Sequence, residues 1–228
     1  MPDEVLEIPI GGERILIEVI DQDRLIDRLI EEDGGFDRRN PYYGQLWPAA
    51  RVLGETIAKL PDLTDKRVLD VGCGAGLLGI VAAKRGARVT FADVMEESLE
   101  LARNNARRNG VKGQTWRFDL ATPGAPASDD ERFDVIVSSD VLYEPWMAEA
   151  IANAIHTWLR VDGVAIVTDP MRPSGDRMKK VARAAGLHVD EFEDLIEDEG
   201  KIHVVRQFTM KIAGGAGMPA RDLGEVGG

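Results

Sequence analysis

The chain is poor in the residues that build the commonest metal and disulfide sites. Its 228 residues include one cysteine, Cys73. A single cysteine excludes an internal disulfide and any cysteine-based zinc cluster. Histidine is almost as scarce: His156, His188 and His203 stand far apart, without metal-ligand spacing, and no metal is expected. Positive charge is in deficit, with 28 Lys and Arg against 40 Asp and Glu, a net charge of −12. That sign argues against general affinity for phosphate backbones, so no nucleic-acid partner is expected. No apolar run is long enough to span a bilayer, so no membrane association is expected. The leading Met1-Pro2-Asp3-Glu4 lacks the basic and apolar regions of a signal peptide. These absences point to a cytoplasmic, reducing setting, and a monomer is the expected state.

What is present suits a folded enzyme-sized domain. Hydrophobic residues make up 44% and charged residues 30%, ordinary values for a globular chain able to bury a core. Residues 1–60 read as an N-terminal extension. In it Val5–Ile8 and Ile15–Val19 flank Gly11-Gly12, the pattern of a β-hairpin. A helix is expected over Asp21–Glu32, with Leu25, Ile26, Leu29 and Ile30 at helical spacing. An aromatic loop, Pro41-Tyr-Tyr-Gly-Gln-Leu-Trp47-Pro48, and a helix over Ala49–Leu60 follow. Residues 61–212 form the core. Strands are expected near 67–71, 88–92, 115–118, 134–138, 163–168, 187–193 and 202–210. Helices are expected near 76–85, 96–109, 146–159 and 174–185. Trp146, Met147, Ile151, Ile155, Trp158 and Leu159 read as one core stripe of the third of these. The alternation predicts an α/β fold: a Rossmann-like, seven-stranded, mostly parallel sheet with helices on both faces. The last two strands, joined by an acidic loop over Glu193–Gly200, should form an antiparallel hairpin. Residues 213–228, rich in glycine and without an apolar face, are expected to be a disordered tail.

The chemistry-bearing stretch is Val68-Leu-Asp70-Val71-Gly72-Cys73-Gly74-Ala75-Gly76. An apolar strand breaks into three alternating glycines, a helix follows, and a second strand ends in Asp93. Glycines there permit a turn that Cβ would block, and the helix start offers free N–H groups to a ligand. Gly74-Ala-Gly76-Leu-Leu-Gly79 also satisfies the raw pattern of NAD sites. Counted from the strand end at Val71, however, the first turn glycine is Gly72, and the third dinucleotide position is then Leu77. Asp70 suits a cofactor carrying a cationic amino group better than a pyrophosphate. Asp93 can take two ribose hydroxyls under either reading.

Asp70-x-Gly72-x-Gly74-x-Gly76 resembles the cofactor loop of class I, seven-strand methyltransferases, which use S-adenosyl-L-methionine and release S-adenosyl-L-homocysteine. The resemblance implies that Gly72, Cys73, Gly74 and Gly76 pass under the methionine and ribose. It places Asp93 on the ribose hydroxyls, Val94 on the adenine ring, and Asp119 with Leu120 at the adenine amino group. Asp119 also reads as an ordinary strand-end acid, and Cys73 as a small space-filler rather than a nucleophile.

A second motif lies at another strand end: Ser139-Asp140-Val-Leu-Tyr143-Glu-Pro. Acceptors in open α/β sheets bind beyond the carboxyl ends of the strands. Asp140-x-x-Tyr143, with Gly44-x-x-Trp47-Pro-Ala-Ala upstream, resembles the seven-strand protein lysine methyltransferases, also described as nicotinamide N-methyltransferase-like. By that resemblance Asp140 and Tyr143 are catalytic, Trp47 and Ser139 flank the cofactor, and Asp169-Pro-Met-Arg172 meets the acceptor. Many of those enzymes carry an acid after the loop tryptophan, where this chain has Pro48. Trp47 also reads as a core aromatic, and Asp140 as a helix N-cap. The resemblance implies N-methylation of a lysine on a protein substrate. A small-molecule N- or O-methyltransferase, a non-catalytic cofactor- or partner-binding module, and an NAD oxidoreductase stand beside it as alternatives.

Overall fold

The computed structural model describes residues 4–21, 25, 41–198 and 200–214. Apolar runs broken by glycine turns give nine strands among these residues. Strands β1 (Glu4–Ile10) and β2 (Glu13–Val19) form a separate antiparallel hairpin turned at Gly11-Gly12. Helix α1 (Pro48–Lys59) starts with proline in its first turn, where a missing N–H costs nothing. The core then runs β3 (Arg67–Val71), α2 (Leu77–Lys84), β4 (Arg88–Asp93), α3 (Glu96–Arg108) and β5 (Gly113–Arg117). It continues with β6 (Phe133–Ser139), α4 (Met147–Trp158), β7 (Leu159–Asp169), α5 (Met178–Ala184), β8 (Leu187–Asp198) and β9 (Lys201–Ile212).

The seven core strands form one sheet in the order β5-β4-β3-β6-β7-β9-β8. β5, β4, β3, β6 and β7 are parallel, while β9 runs antiparallel to both neighbours. Strand order reverses between β3 and β6, and such a switch point leaves a crevice at the carboxyl ends. Alternate residues face opposite sides. Val68, Phe91, Val137 and Ile166 pack with α1, α2, α3 and the β1–β2 hairpin. Leu69, Ala92, Ile136 and Val167 pack with α4 and α5.

The hairpin is tied to the core by two side-chain amides of α3. Asn105 Oδ1 accepts from Glu18 N at 2.8 Å, and Asn105 Nδ2 donates to Glu18 O at 3.0 Å. Asn109 makes the same pair of bonds to Leu16, at 2.9 and 2.7 Å. The amides thus stand in for a neighbouring strand along β2. Asn105 Nδ2 also donates to Ala75 O at 2.9 Å, which links the hairpin to the glycine turn.

Three expectations change. The acidic stretch after residue 193 is not a loop: β8 and β9 stay paired as far as Asp198 and Lys201, because alternating residues satisfy one packed and one solvated face. Trp146 is not core. It precedes α4, off the stripe of Met147, Ile151, Ile155 and Trp158, and is 46% exposed. The helix expected from 174 opens as a 3₁₀ turn, Gly175–Arg177, before α5. Between β5 and β6 the chain crosses over with only a short 3₁₀ turn, Asp129–Glu131. The helix expected over 21–32 lies outside the described residues except for Asp21 and Leu25, as does the tail from 215 onward.

Candidate functional site

The glycine turn is built by backbone demands. Gly72, Gly74 and Gly76 have φ of +66°, +50° and +85°, a region that side chains rarely enter. A Cβ on Gly72 would lie 2.6 Å from Val141 Cγ1, and one on Gly76 would lie 2.9 Å from Ala102 Cβ. The turn is hung from the neighbouring strand: Gly72 N and Cys73 N both donate to Ala92 O, at 2.8 and 3.1 Å. Gly79, on the first turn of α2, presents its N–H to Asp70 Oδ2 at 2.9 Å.

Asp93 organises the turn from the adjacent strand end. Its Oδ2 accepts from Gly74 N at 3.2 Å and Ser98 Oγ at 2.7 Å, and its Oδ1 accepts from Met95 N at 3.1 Å. Burial pushes its carboxyl above the usual range, against the pull of those donors. Asp70 is more deeply buried. Desolvation pushes it up to about 7, opposed by the Gly79 N–H and reinforced by the charge on Asp93. Burial likewise raises Asp140 and Asp169, and raises the Cys73 thiol, which is therefore a poor nucleophile.

A cavity of about 440 Å³ opens above these strand ends, a size suited to a small ligand. Trp47, Gly72, Asp93, Val94, Asp119, Leu120, Ser139, Asp140 and Tyr143 all line it. A smaller recess of about 50 Å³ shares Trp47, Gly72, Ser139 and Asp140 and adds Asp70 and Cys73. Gly74 and Gly76 line neither: Gly74 holds Asp93 by its N–H, and Gly76 makes room for α3. Asp119 Oδ1 accepts from Ala121 N at 2.8 Å, closing its own turn at the cavity rim.

The acceptor side is aromatic and acidic. Tyr42 stands edge-on to Trp47, with centroids 5.8 Å apart, and edge-on to Tyr143 at 6.0 Å. Trp47 Nε1 donates to Tyr42 O at 3.3 Å. Burial and the nearby Asp93 charge raise the Tyr143 hydroxyl, so it remains protonated. Asp140 has φ of +63°, and its N–H donates to Thr168 O at 3.1 Å. Its carboxylate accepts from Ser139 Oγ at 2.6 Å and from Arg172 Nη1 at 3.1 Å. Arg172 also reaches Asp169 Oδ1 at 3.5 Å, so one guanidinium bridges the carboxyl ends of β6 and β7. Asp140 heads no helix: α4 begins at Met147, which rules out its N-cap reading.

Tyr42 and Trp146 also line the cavity, and the sequence reading assigned neither a role. Tyr42 lay in the aromatic loop already singled out. Trp146 was hidden by its apparent place in a core stripe.

The buried acids carry a pH signature. Folded Asp70 keeps its proton to about 7, whereas the unfolded chain loses it near the ordinary carboxyl value of 3.8. Between those values the folded state binds more protons, so this group makes stability fall as pH rises. Asp70→Asn removes the contribution. Thermal melts of the cofactor-free protein should show the wild type losing stability relative to the variant across that window. Parallel profiles for the two proteins would mean that Asp70 is ionised throughout.

Residues 63–214 match a family model described as a methyltransferase domain. A histone-arginine methyltransferase of Xenopus laevis is 38% identical over 115 residues, covering 46% of this chain and 47% of the relative. A ubiquinone biosynthesis O-methyltransferase of Actinobacillus pleuropneumoniae is 38% identical over 109 residues, covering 46% of each. The chain thus spans about half the length of these curated relatives. The crystal structure of magnesium protoporphyrin IX methyltransferase from Synechocystis, with bound S-adenosylmethionine, has the same fold. Its TM-score is 0.55 at 18% identity, covering 84% of this chain and 98% of that one.

Proposed function

Because this chain belongs to the methyltransferase domain family, we propose that it transfers a methyl group from S-adenosyl-L-methionine to a lysine side chain of a protein. The observation that carries the acceptor reading is that the aromatic cluster Trp47–Tyr42–Tyr143 and the acids Asp93 and Asp140 line one cavity. Such a lining offers ring faces and negative charge to a cationic nitrogen.

The size and donor set of the cavity support S-adenosyl-L-methionine as its occupant. Asp93, already held by three donors, presents its carboxylate where ribose hydroxyls would lie. The reading seats adenine against Val94, Asp119 and Leu120 and the ribose near the backbone of Gly72, all of which line the cavity. Asp70, beside the small recess, offers its carboxyl to an amino group, whose positive charge would favour loss of the proton that burial retains. When bound, S-adenosyl-L-methionine would supply the methyl electrophile, and the chain's task is alignment.

A lysine has an unperturbed pKa of about 10.4 and is nearly all charged at neutral pH. Desolvation between the aromatic rings lowers that value, while Asp140 opposes the shift. Asp140 is fixed by Ser139 and Arg172, so it orients the amine without moving. Tyr143 meets the nitrogen with its ring face or its neutral hydroxyl.

Tyr143→Phe and Asp140→Ala should each lower kcat by about tenfold or more, the scale of a lost alignment contact, with S-adenosylhomocysteine affinity kept in calorimetry. Loss of cofactor binding in both would make their role structural. The acceptor is tested by supplying labelled methyl donor and a cell lysate. Label recovered as methyl-lysine in protein supports the reading. Label in small molecules instead favours the O- or N-methyltransferase alternative, which the ubiquinone-pathway relative keeps open. Label as methyl-arginine points to the chemistry named for the Xenopus relative.

A further inference from the structure

β8 and β9 run well past the sheet they belong to. β7 ends at Asp169, opposite Arg206, yet β9 begins at Lys201 and pairs with β8 through Asp198. Five residues of each strand therefore project beyond the carboxyl edge, on the same side as the cavity. At about 3.3 Å per residue the projection is roughly 16 Å.

The two faces of this projection differ. One is packed: Asp198 pairs with Arg51 of α1 at 2.7 Å, and the same face continues inside the sheet to Gln207, which accepts from Thr56 at 2.8 Å. The other carries Leu195, Ile202 and Val204, exposed by 70%, 72% and 38%. Leu195 lies directly opposite Val204, and Ile202 opposite Glu197, so the three form one contiguous apolar patch. Glu193 and Glu197 alternate with Leu195 on that face. The same face is tied to the segment after β7: Arg206, next along the face and buried, holds Asp176 at 2.7 Å. That segment also carries exposed Met171, and Arg172 of the same segment reaches Asp140.

Acids alone on an edge hairpin would guard against self-pairing. They do not account for three large apolar side chains held in water beside them on one face. We infer that this face of the β8–β9 projection docks a segment of the protein methyl acceptor in which lysines or arginines are interleaved with apolar residues. Leu195, Ile202 and Val204 bind its apolar side chains, and Glu193 and Glu197 pair with its cations. The inference rests on the protein-acceptor reading and deepens it: the hairpin grips the substrate while the Asp140–Tyr143 side receives the target nitrogen.

The probe is a labelled peptide of alternating lysine and valine, titrated by fluorescence anisotropy into the full chain with S-adenosylhomocysteine present. A glutamate–valine peptide is the control. The wild type should prefer the lysine peptide. Leu195→Asn/Ile202→Asn should weaken it by about tenfold, the loss of roughly 1.4 kcal/mol. Glu193→Gln/Glu197→Gln should weaken it and flatten its salt dependence, and this near-isosteric pair decides the matter if the asparagine pair fails to fold. Retained S-adenosylhomocysteine affinity reports folding in each. The docking assignment falls if the wild type ignores the lysine peptide, or if both variants bind it as well as the wild type. It also falls if the wild type sediments as a dimer that the asparagine pair splits, since the face then serves self-association. Failure of the lysine reading is separate: it shows as label missing from methyl-lysine, whatever the peptide does.

Discussion

Asp93→Ala abolishes measurable binding of S-adenosylhomocysteine in titration calorimetry. The carboxylate is buried and held by Gly74, Met95 and Ser98, so it contributes in two ways. In the proposed function it accepts the ribose hydroxyls, and in the structure it pins the glycine turn. Hydrogen bonds to a charged group are worth about 1.5–3 kcal/mol each. Losing two therefore costs about a hundredfold or more in affinity. Asp93→Asn keeps an acceptor oxygen for the turn and discards the charge, so it should fall between the alanine variant and the wild type. Unchanged affinity in Asp93→Ala would remove the cavity from consideration as the cofactor site.

The second large effect is on folding. In Gly79→Ala the new Cβ would collide with Phe91 Cε1 and sit 2.9 Å from Val89 Cγ1. Phe91 is fully buried and has nowhere to go. Overpacking of this kind costs about 1–3 kcal/mol. The helix propensity gained over glycine, up to about 1 kcal/mol, offsets only part of it at a first-turn position. A net loss of about 2 kcal/mol should lower Tm by about 4–8 °C in a chain of this size. Adding Phe91→Leu to Gly79→Ala should recover part of the loss, a non-additivity expected only of residues in contact. Equal melting temperatures for wild type and Gly79→Ala would show that α2 does not lie so close to β4. Gly79 is the residue that made the raw sequence pattern resemble an NAD site. In the structure its small size serves contact between α2 and β4, and its N–H serves Asp70.

Much of the fold was legible because each signal is local. The strand at 67–71 and the helices near 76–85 and 96–109 follow from apolar periodicity closed off by glycine. The hairpin at the C-terminus followed from two strands too close for a helix between them. Its length did not, because the acids after residue 193 look like a loop until one face is seen to be packed on α1. Trp47, Asp93, Val94, Asp119, Leu120, Ser139, Asp140 and Tyr143 line one cavity; strand ends marked Asp93 and Asp140, whereas Trp47, Val94, Asp119, Leu120 and Ser139 were named only through the family resemblance. Tyr42 and Trp146 were legible by neither route, since an aromatic beside a strand end and one in a core have the same composition.

The amino-acid sequence by itself determined the order of strands and helices, the left-handed turn at Gly72, Gly74 and Gly76, and the acids that close β3, β4 and β6. These depend on backbone sterics and short-range periodicity, which act within a few residues. Only the tertiary structure decided that Arg172 bridges Asp140 to Asp169, that Asn105 joins the hairpin to the glycine turn, and that the β8–β9 projection extends past the sheet edge on which the cavity opens. Each depends on residues far apart in the chain, brought together by the sheet order, which no local pattern encodes.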